Sequence, residues 1–141
     1  MTTVESNRNL IERYYYELWN PWRFDLAGKF VAVDVKFHGS VGVTVEGVDA
    51  FRDYMRLIQA AFPDFHNQVE EMVAEGDRVA ARLTYRGTHR GAIFGVQPTG
   101  NAIEYEGLAL FRIRDGLVAE GYVLGNVIRL LGELGVQIAA T

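Results

Sequence analysis

The stretch from Gly76 to Val123 constrains the fold of this 141-residue chain more than any other. Gly76-Asp77 opens a run in which Val79, Ala81, Leu83 and Tyr85 alternate with Ala80, Arg82, Thr84 and Arg86. Pro98-Thr99-Gly100 precedes a second run, where Ile103, Tyr105, Ala109, Phe111 and Ile113 share one face. Asp115-Gly116 turns the chain into a third, Leu117 to Val123. Period-two alternation between such turn signals predicts a half-buried antiparallel meander. One face is apolar and aromatic, and the other carries Arg82 and Arg86 against Glu104 and Glu106. The apolar face needs a cover, which helices elsewhere in the chain can supply.

The preceding residues predict that cover. Leu10, Ile11, Tyr14, Leu18 and Trp22 recur at helical spacing from Val4 to Trp19 and just beyond, until Asn20-Pro21 interrupts the helix. A short helix over Trp22 to Phe30, a strand from Val31 to Phe37 and His38, and a helix capped by Asp49 and running to Phe62 follow. On that last helix Phe51, Tyr54, Met55, Ile58 and Phe62 point one way. A strand from Phe65 to Ala74 leads into the meander, and Asn126 stands as N-cap of a final helix over Val127 to Leu134. No repeat or linker divides the chain, so residues 1–141 read as one domain. The expected class is α+β, a curved antiparallel sheet forming a cone closed by the N-terminal helices.

Composition narrows the function. A net charge of −4, with Lys29 and Lys36 the only lysines, gives no cationic face for nucleic acid and no polybasic patch for a membrane. There is no cysteine, which excludes thiolate metal sites and cysteine nucleophiles. No apolar run is long enough to span a bilayer, and the expected address is cytoplasmic. His38, His66 and His89 are scattered without ligand spacing, so no metal is expected. Phosphate-binding glycine fingerprints, nucleophile elbows and zincin motifs are all missing.

What remains is a cavity. A curved sheet closed by aromatic-rich helices leaves a concave apolar space suited to a small molecule. The candidate liners are Tyr14, Trp22, Phe37, Phe51, Met55, Phe62, Tyr105 and Tyr122, each of which is equally at home as a core residue. His89 continues the Leu83-Tyr85-Gly87 face unless a bulge intervenes, as a site residue or a hydrogen-bonded structural one. Glu120, Tyr122 and Asn126 share parity in the last strand if it stays extended through Leu124, and His89 and Asn126 would mark the polar end of the cavity. Glu120 reads equally as an exposed partner of an arginine. Arg82, Arg86, Glu104 and Glu106 read as a cross-strand ladder without chemistry.

Several motifs together resemble the SnoaL-like polyketide cyclases. They are Ala61-Phe62-Pro63-Asp64-Phe65-His66, Val69 to Val79, Gly87-Thr88-His89-x-Gly91, Pro98-Thr99-Gly100, Phe111 to Gly116, and Leu130-Leu131-Gly132-Glu133-Leu134-Gly135. The resemblance covers roughly residues 40 to 135. It implies the ketosteroid-isomerase-like cone, no cofactor, a homodimer or homotetramer joined through the open sheet face, and a place in natural-product and antibiotic biosynthesis. It further implies ring closure on a polyketide-like substrate, with an aspartate as general acid/base four residues after an aromatic one. Here those positions are Tyr122 and Asn126, and an asparagine does not titrate near neutral pH. The expected catalytic set is therefore Asn126, His89 and Tyr122, with His38 joining the apolar liners in substrate binding. Three readings follow from the asparagine. His89, His38 or Glu120 carries the proton transfer; or closure is pericyclic and needs no base; or the protein binds a small molecule without catalysis.

Overall fold

The computed structural model describes residues 2–137; the ends of the expected 1–141 domain, residue 1 and residues 138–141, lie outside the described residues. Helix α1 (Thr3–Arg13) starts at a capping box, in which the Thr2 hydroxyl accepts from the Glu5 amide while Glu5 reaches back to the Thr2 N–H. The chain then widens into a π-helical turn, Tyr14–Trp19, instead of continuing as α-helix. Its signature is a hydrogen bond five residues back, from the Asn20 N–H to the Tyr15 carbonyl at 2.9 Å. Wider turns place more residues per turn on one face, and here Tyr14, Tyr15, Leu18 and Trp19 are all buried.

A 3₁₀ turn (Phe24–Leu26) and helix α2 (Ala27–Phe30) lead to strand β1 (Val31–His38) and a short β2 (Thr44–Glu46), which sequence alternation did not signal. Helix α3 (Val48–Ala61) buries Phe51, Tyr54, Met55, Ile58 and Ala61. Its N-cap is Gly47, at φ 90°, and not Asp49; Asp49 lies in the first turn and pairs with Arg52 at 2.8 Å. Strands β3 (His66–Glu75), β4 (Arg78–Thr88), β5 (Ala102–Arg114) and β6 (Leu117–Gly125) form the long meander, followed by α4 (Val127–Glu133). At the β5–β6 turn both Asp115 and Gly116 have positive φ, 53° and 74°, as a tight hairpin requires.

The sheet order is β2-β1-β6-β5-β4-β3, with β1 parallel to β6 and every other pair antiparallel. The α+β class holds, with helices closing one face of the sheet, while the sheet itself is mixed and open where every strand was expected to be antiparallel. A strand's own alternation records which face is buried but not the direction of a partner distant in sequence. One face is covered by α1, the π-turn and α3, and their side chains merge with the inner sheet face into a single core that includes Ile11, Leu18, Phe51, Met55, Leu83 and Phe111. Fully burying each such side chain contributes about 1.5–3 kcal/mol. No helix among the described residues is long and apolar enough to cross a membrane.

One irregularity has a large effect on the site. Arg112 faces Glu120 but Ile113 faces Val118, so Ala119 is an extra residue in β6, and Val118 and Ala119 are both buried. A bulge of this kind exchanges the two faces of everything after it. Beyond Ala119 the inward residues are Gly121 and Val123, while Glu120, Tyr122 and Leu124 turn to the outer face.

Candidate functional site: an aromatic cavity between helices and sheet

A cleft runs into the core between the helices and the sheet. Tyr14, Tyr15 and Trp19 from the π-turn, Phe37 and Ser40 from the end of β1 and its loop, Tyr54 and Ile58 from α3, and Phe65, Asn67, Tyr85 and Val123 from the sheet side line this cleft, with a cavity volume of ≈ 30 Å³ that reaches ≈ 350 Å³ of empty space only when the open mouth is counted. Ser40 is the one lining residue that is not buried, which puts the opening at the 39–43 loop. The interior is narrow and apolar.

The π-turn is what brings three aromatic rings to this space. Its far end is fixed to β3 by a pair of asparagines: Asn20 Oδ1 accepts from the Asn67 backbone N–H at 2.8 Å and from Asn67 Nδ2 at 3.0 Å, and Asn20 Nδ2 donates to the Asn67 carbonyl at 3.0 Å. Two glycines make room for the tyrosines opposite. A Cβ on Gly107 would stand 2.5 Å from Cε2 of Tyr85, and one on Gly39 would overlap the Tyr54 ring. Around Tyr85 the rings of Tyr105 and Phe65 lie at centroid distances of 4.9 Å and 5.4 Å.

The chemistry of the wall is uniform. No lining residue carries a carboxylate, an imidazole or an amine. Burial pushes the phenols of Tyr14, Tyr15, Tyr54 and Tyr85 above the ordinary value of 10.0, for Tyr14 against a partial opposing effect of the Trp19 indole and for Tyr54 against that of hydrogen bonds from the Ser40–Val41 loop. These tyrosines therefore remain protonated and can donate hydrogen bonds, but they do not act as bases.

Of the residues singled out in the sequence, Tyr14 and Phe37 line the cavity. Phe51 and Met55 are fully buried behind it, with the Phe51 ring 5.1 Å from Phe37 and 6.2 Å from Tyr14. Tyr105 is one ring further back, behind Tyr85. Phe62 packs between Phe65 and His89, and the half-buried Trp22 donates its indole N–H to the Pro63 carbonyl at 2.8 Å. His89 is fully buried but outside the cavity lining; its Nδ1 takes the Thr99 N–H at 3.1 Å and lies 2.9 Å from the Thr99 hydroxyl.

Tyr122 and Asn126 differ most from the expectation, because the Ala119 bulge turns Tyr122 outward and Asn126 is exposed just beyond the strand. Asn126 is the N-cap of α4: its Oδ1 accepts from the Arg129 amide at 3.2 Å, and its Nδ2 donates to Glu106. His38 also faces outward. Its ring stacks on Tyr122 at 4.2 Å, and its Nε2 meets Glu120 at 3.1 Å, while the Tyr122 hydroxyl donates to the same Glu120 oxygen at 3.0 Å. The hydrogen bonds of His38 and Tyr122 hold the Glu120 carboxyl below its ordinary range. Sequence reasoning missed Tyr15, Trp19, Ser40, Tyr54, Ile58, Phe65, Asn67, Tyr85 and Val123 as liners. The aromatic run Tyr14-Tyr15-Tyr16-Glu17-Leu18-Trp19 was the available signal, but at α-helical spacing it puts Tyr15 and Trp19 off the buried stripe.

Comparison with known proteins agrees with this architecture. A family model described as SnoaL-like polyketide cyclase matches residues 9–134. No match was found among curated proteins. Among solved structures, the chain is similar to AclR of Streptomyces galilaeus, described as a candidate hydroxylase, at 30% identity and a TM-score of 0.83, covering 99% of this chain and 87% of that one. It is similar to IdmH of Streptomyces antibioticus, a candidate polyketide cyclase, at 29% identity and a TM-score of 0.79, covering 92% and 99%. A SnoaL-like protein of Jannaschia sp. CCS1 shares the fold at 21% identity, with a TM-score of 0.86 and 98% of each chain covered.

Proposed function

Because the chain belongs to the SnoaL-like polyketide cyclase family, we propose that it is a cofactor-independent cytoplasmic cyclase that closes a ring in a polyketide-type intermediate held in the aromatic cavity. One observation carries the reading: the cavity wall offers apolar surface and hydrogen-bond donors but no group able to take up a proton near neutral pH. Such a wall can fold a flexible unsaturated chain into a reactive shape and polarise a carbonyl. That favours pericyclic closure over an aldol closure driven by a protein base, whose proton transfer contributes typically about 10²–10⁴-fold. The catalytic role expected of Asn126, Tyr122 and His89 passes in this proposal to the cavity donors.

A second reading has its own support. The cavity is narrow, so a multi-ring ligand requires Ser40 and the 39–43 loop to give way, which suits a binding protein as well as a catalyst. One assay separates the two. Linear poly-β-ketone and polyene esters are incubated with the protein and followed by chromatography for an isomeric or dehydrated cyclic product. The cyclase reading expects product from the native protein and none from Ser40→Trp, which plugs the opening. Binding of the esters without conversion would favour the binder.

The partner belonging to the same proposal is a second copy of this chain. The outer sheet face exposes Leu108 (62%), Leu124 (78%) and Tyr122 (46%), with Leu108 opposite Leu124 and Leu110 opposite Tyr122 across β5–β6. Such a patch favours burial against another surface. Ion pairs flank it, among them Arg86 with Glu104 at 2.7 Å and Arg129 with Glu106 at 2.7 Å.

A further inference from the structure

Two buried donors in the cavity wall make no hydrogen bond of ordinary geometry among the described residues: the hydroxyl of Tyr85, and the indole N–H of Trp19, which reaches only toward the Tyr14 hydroxyl. The residues are 5% and 3% exposed. Neighbouring groups of the same kind are satisfied. The Trp22 indole donates to Pro63 O, the Tyr16 hydroxyl accepts from the Val69 amide at 2.9 Å, and the Tyr122 hydroxyl donates to Glu120. The third orphan, His89 Nε2, lies outside the cavity lining. Such buried donors are therefore concentrated along the cleft.

An orphaned donor costs stability, and its removal is chemically easy. Phenylalanine at position 85 would keep the ring contacts with Phe65 and Tyr105 and lose only the unpaired hydroxyl. The hydroxyl that is present, over a glycine that makes room for it, fits an acceptor supplied by a ligand. The charge of that acceptor follows from the wall. With no cation among the lining residues, a full negative charge would be buried uncompensated. A carbonyl oxygen, with two lone pairs and no formal charge, suits one donor or both.

We propose that Trp19 and Tyr85 are the specificity-determining donors of this cavity, and that its ligand is a neutral apolar molecule presenting a carbonyl oxygen to them. The inference rests on the cavity being the ligand site, as in the proposed function, and adds what the site selects. The two residues choose oxygenated over purely hydrocarbon ligands, and uncharged over anionic ones.

The test uses three probes of similar size, 2-acetylnaphthalene, 2-ethylnaphthalene and 2-naphthoate, titrated calorimetrically into the native protein, Tyr85→Phe and Trp19→Phe, with thermal melts of each. The native protein is expected to bind the ketone about tenfold or more tighter than the hydrocarbon, and naphthoate more weakly than the ketone. Each substitution should cut the ketone-to-hydrocarbon ratio about three- to tenfold, the effect of one neutral hydrogen bond. Tyr85→Phe should leave hydrocarbon affinity within about twofold and should not lower the melting temperature, since the hydroxyl it removes bonds nothing in the fold. Equal binding of ketone and hydrocarbon, an unchanged ratio in both variants, tighter naphthoate binding, or a lower melting temperature for Tyr85→Phe would each overturn the assignment while leaving the cavity as a ligand site. Failure of all three probes to bind the native protein would overturn both.

Discussion

The Tyr85 ring occupies the space that a side chain at Gly107 would fill, with Cε2 of the tyrosine 2.5 Å from where that Cβ would be. The glycine sits inside β5 opposite Leu83. Glycine in a strand interior weakens it, and a close approach by another group is a common reason for its presence.

Gly107→Ala should therefore push Tyr85 off its seat. The expected cost is about 1–3 kcal/mol in urea unfolding, the range for overpacking a filled core. Near-ultraviolet circular dichroism should change with it, because Tyr85 packs against Phe65 and Tyr105. An alanine variant with native stability and an unchanged aromatic spectrum would mean that the ring is free to move.

Asn126 and Glu106 give the second prediction. Asn126→Ala removes an N-cap and should cost about 0.5–2 kcal/mol of stability with little effect on ligand binding, since the residue is outside the cavity lining. Asn126→Asp keeps the cap acceptor but sets a carboxylate against Glu106, the present partner of Asn126 Nδ2. Like charges raise the pKa of the folded pair against the lowering that Arg129, 2.7 Å from Glu106, still supplies; where the repulsion wins, the folded state binds more protons than the unfolded one. The contribution is then favourable at acid pH and is lost as pH rises through the folded pKa. In the native protein the sign is opposite. Hydrogen bonds from Asn126 and Arg129 hold Glu106 below its ordinary 4.5, so its contribution is present above that value and is lost as pH falls through the lowered pKa. Urea midpoints of both proteins across the acid range check the reversal.

These residues also show how far the sequence could be read. The meander, its turns, the helix cover and the cap at Asn126 follow from alternation, glycine placement and side-chain capping chemistry, all of which are local. The site was less legible because two non-local irregularities decide it. One extra residue at Ala119 carries Tyr122 outward, and nothing in Leu117 to Val123 distinguishes a bulged strand from a regular one. The π-turn swings Tyr15 and Trp19 inward, although α-helical spacing selects only Tyr14 and Leu18 from that run. His89 is buried just past the end of β4, and its contact with Thr99 comes from the return of the loop between β4 and β5.

The outer face gives the third prediction. Sedimentation at micromolar concentration should show a dimer or larger assembly, and Leu124→Glu should dissociate it without loss of folded structure, because Leu124 is 78% exposed in the single chain. A monomeric native protein, or an assembly indifferent to Leu124→Glu and Leu108→Glu, would remove the second copy from this face.

Pericyclic closure requires no protein base, and the cavity wall holds none. The measurement is the rate of ring closure against pH, on whichever ester the native protein converts fastest. With Tyr14, Tyr54 and Tyr85 held protonated and no carboxylate or imidazole lining the space, the rate should stay within about twofold from about pH 5.5 to 8.5. A limb near about 6.5, abolished together with at least about a hundredfold of the rate by His89→Gln or His38→Gln, would contradict it and restore an aldol closure driven by a histidine.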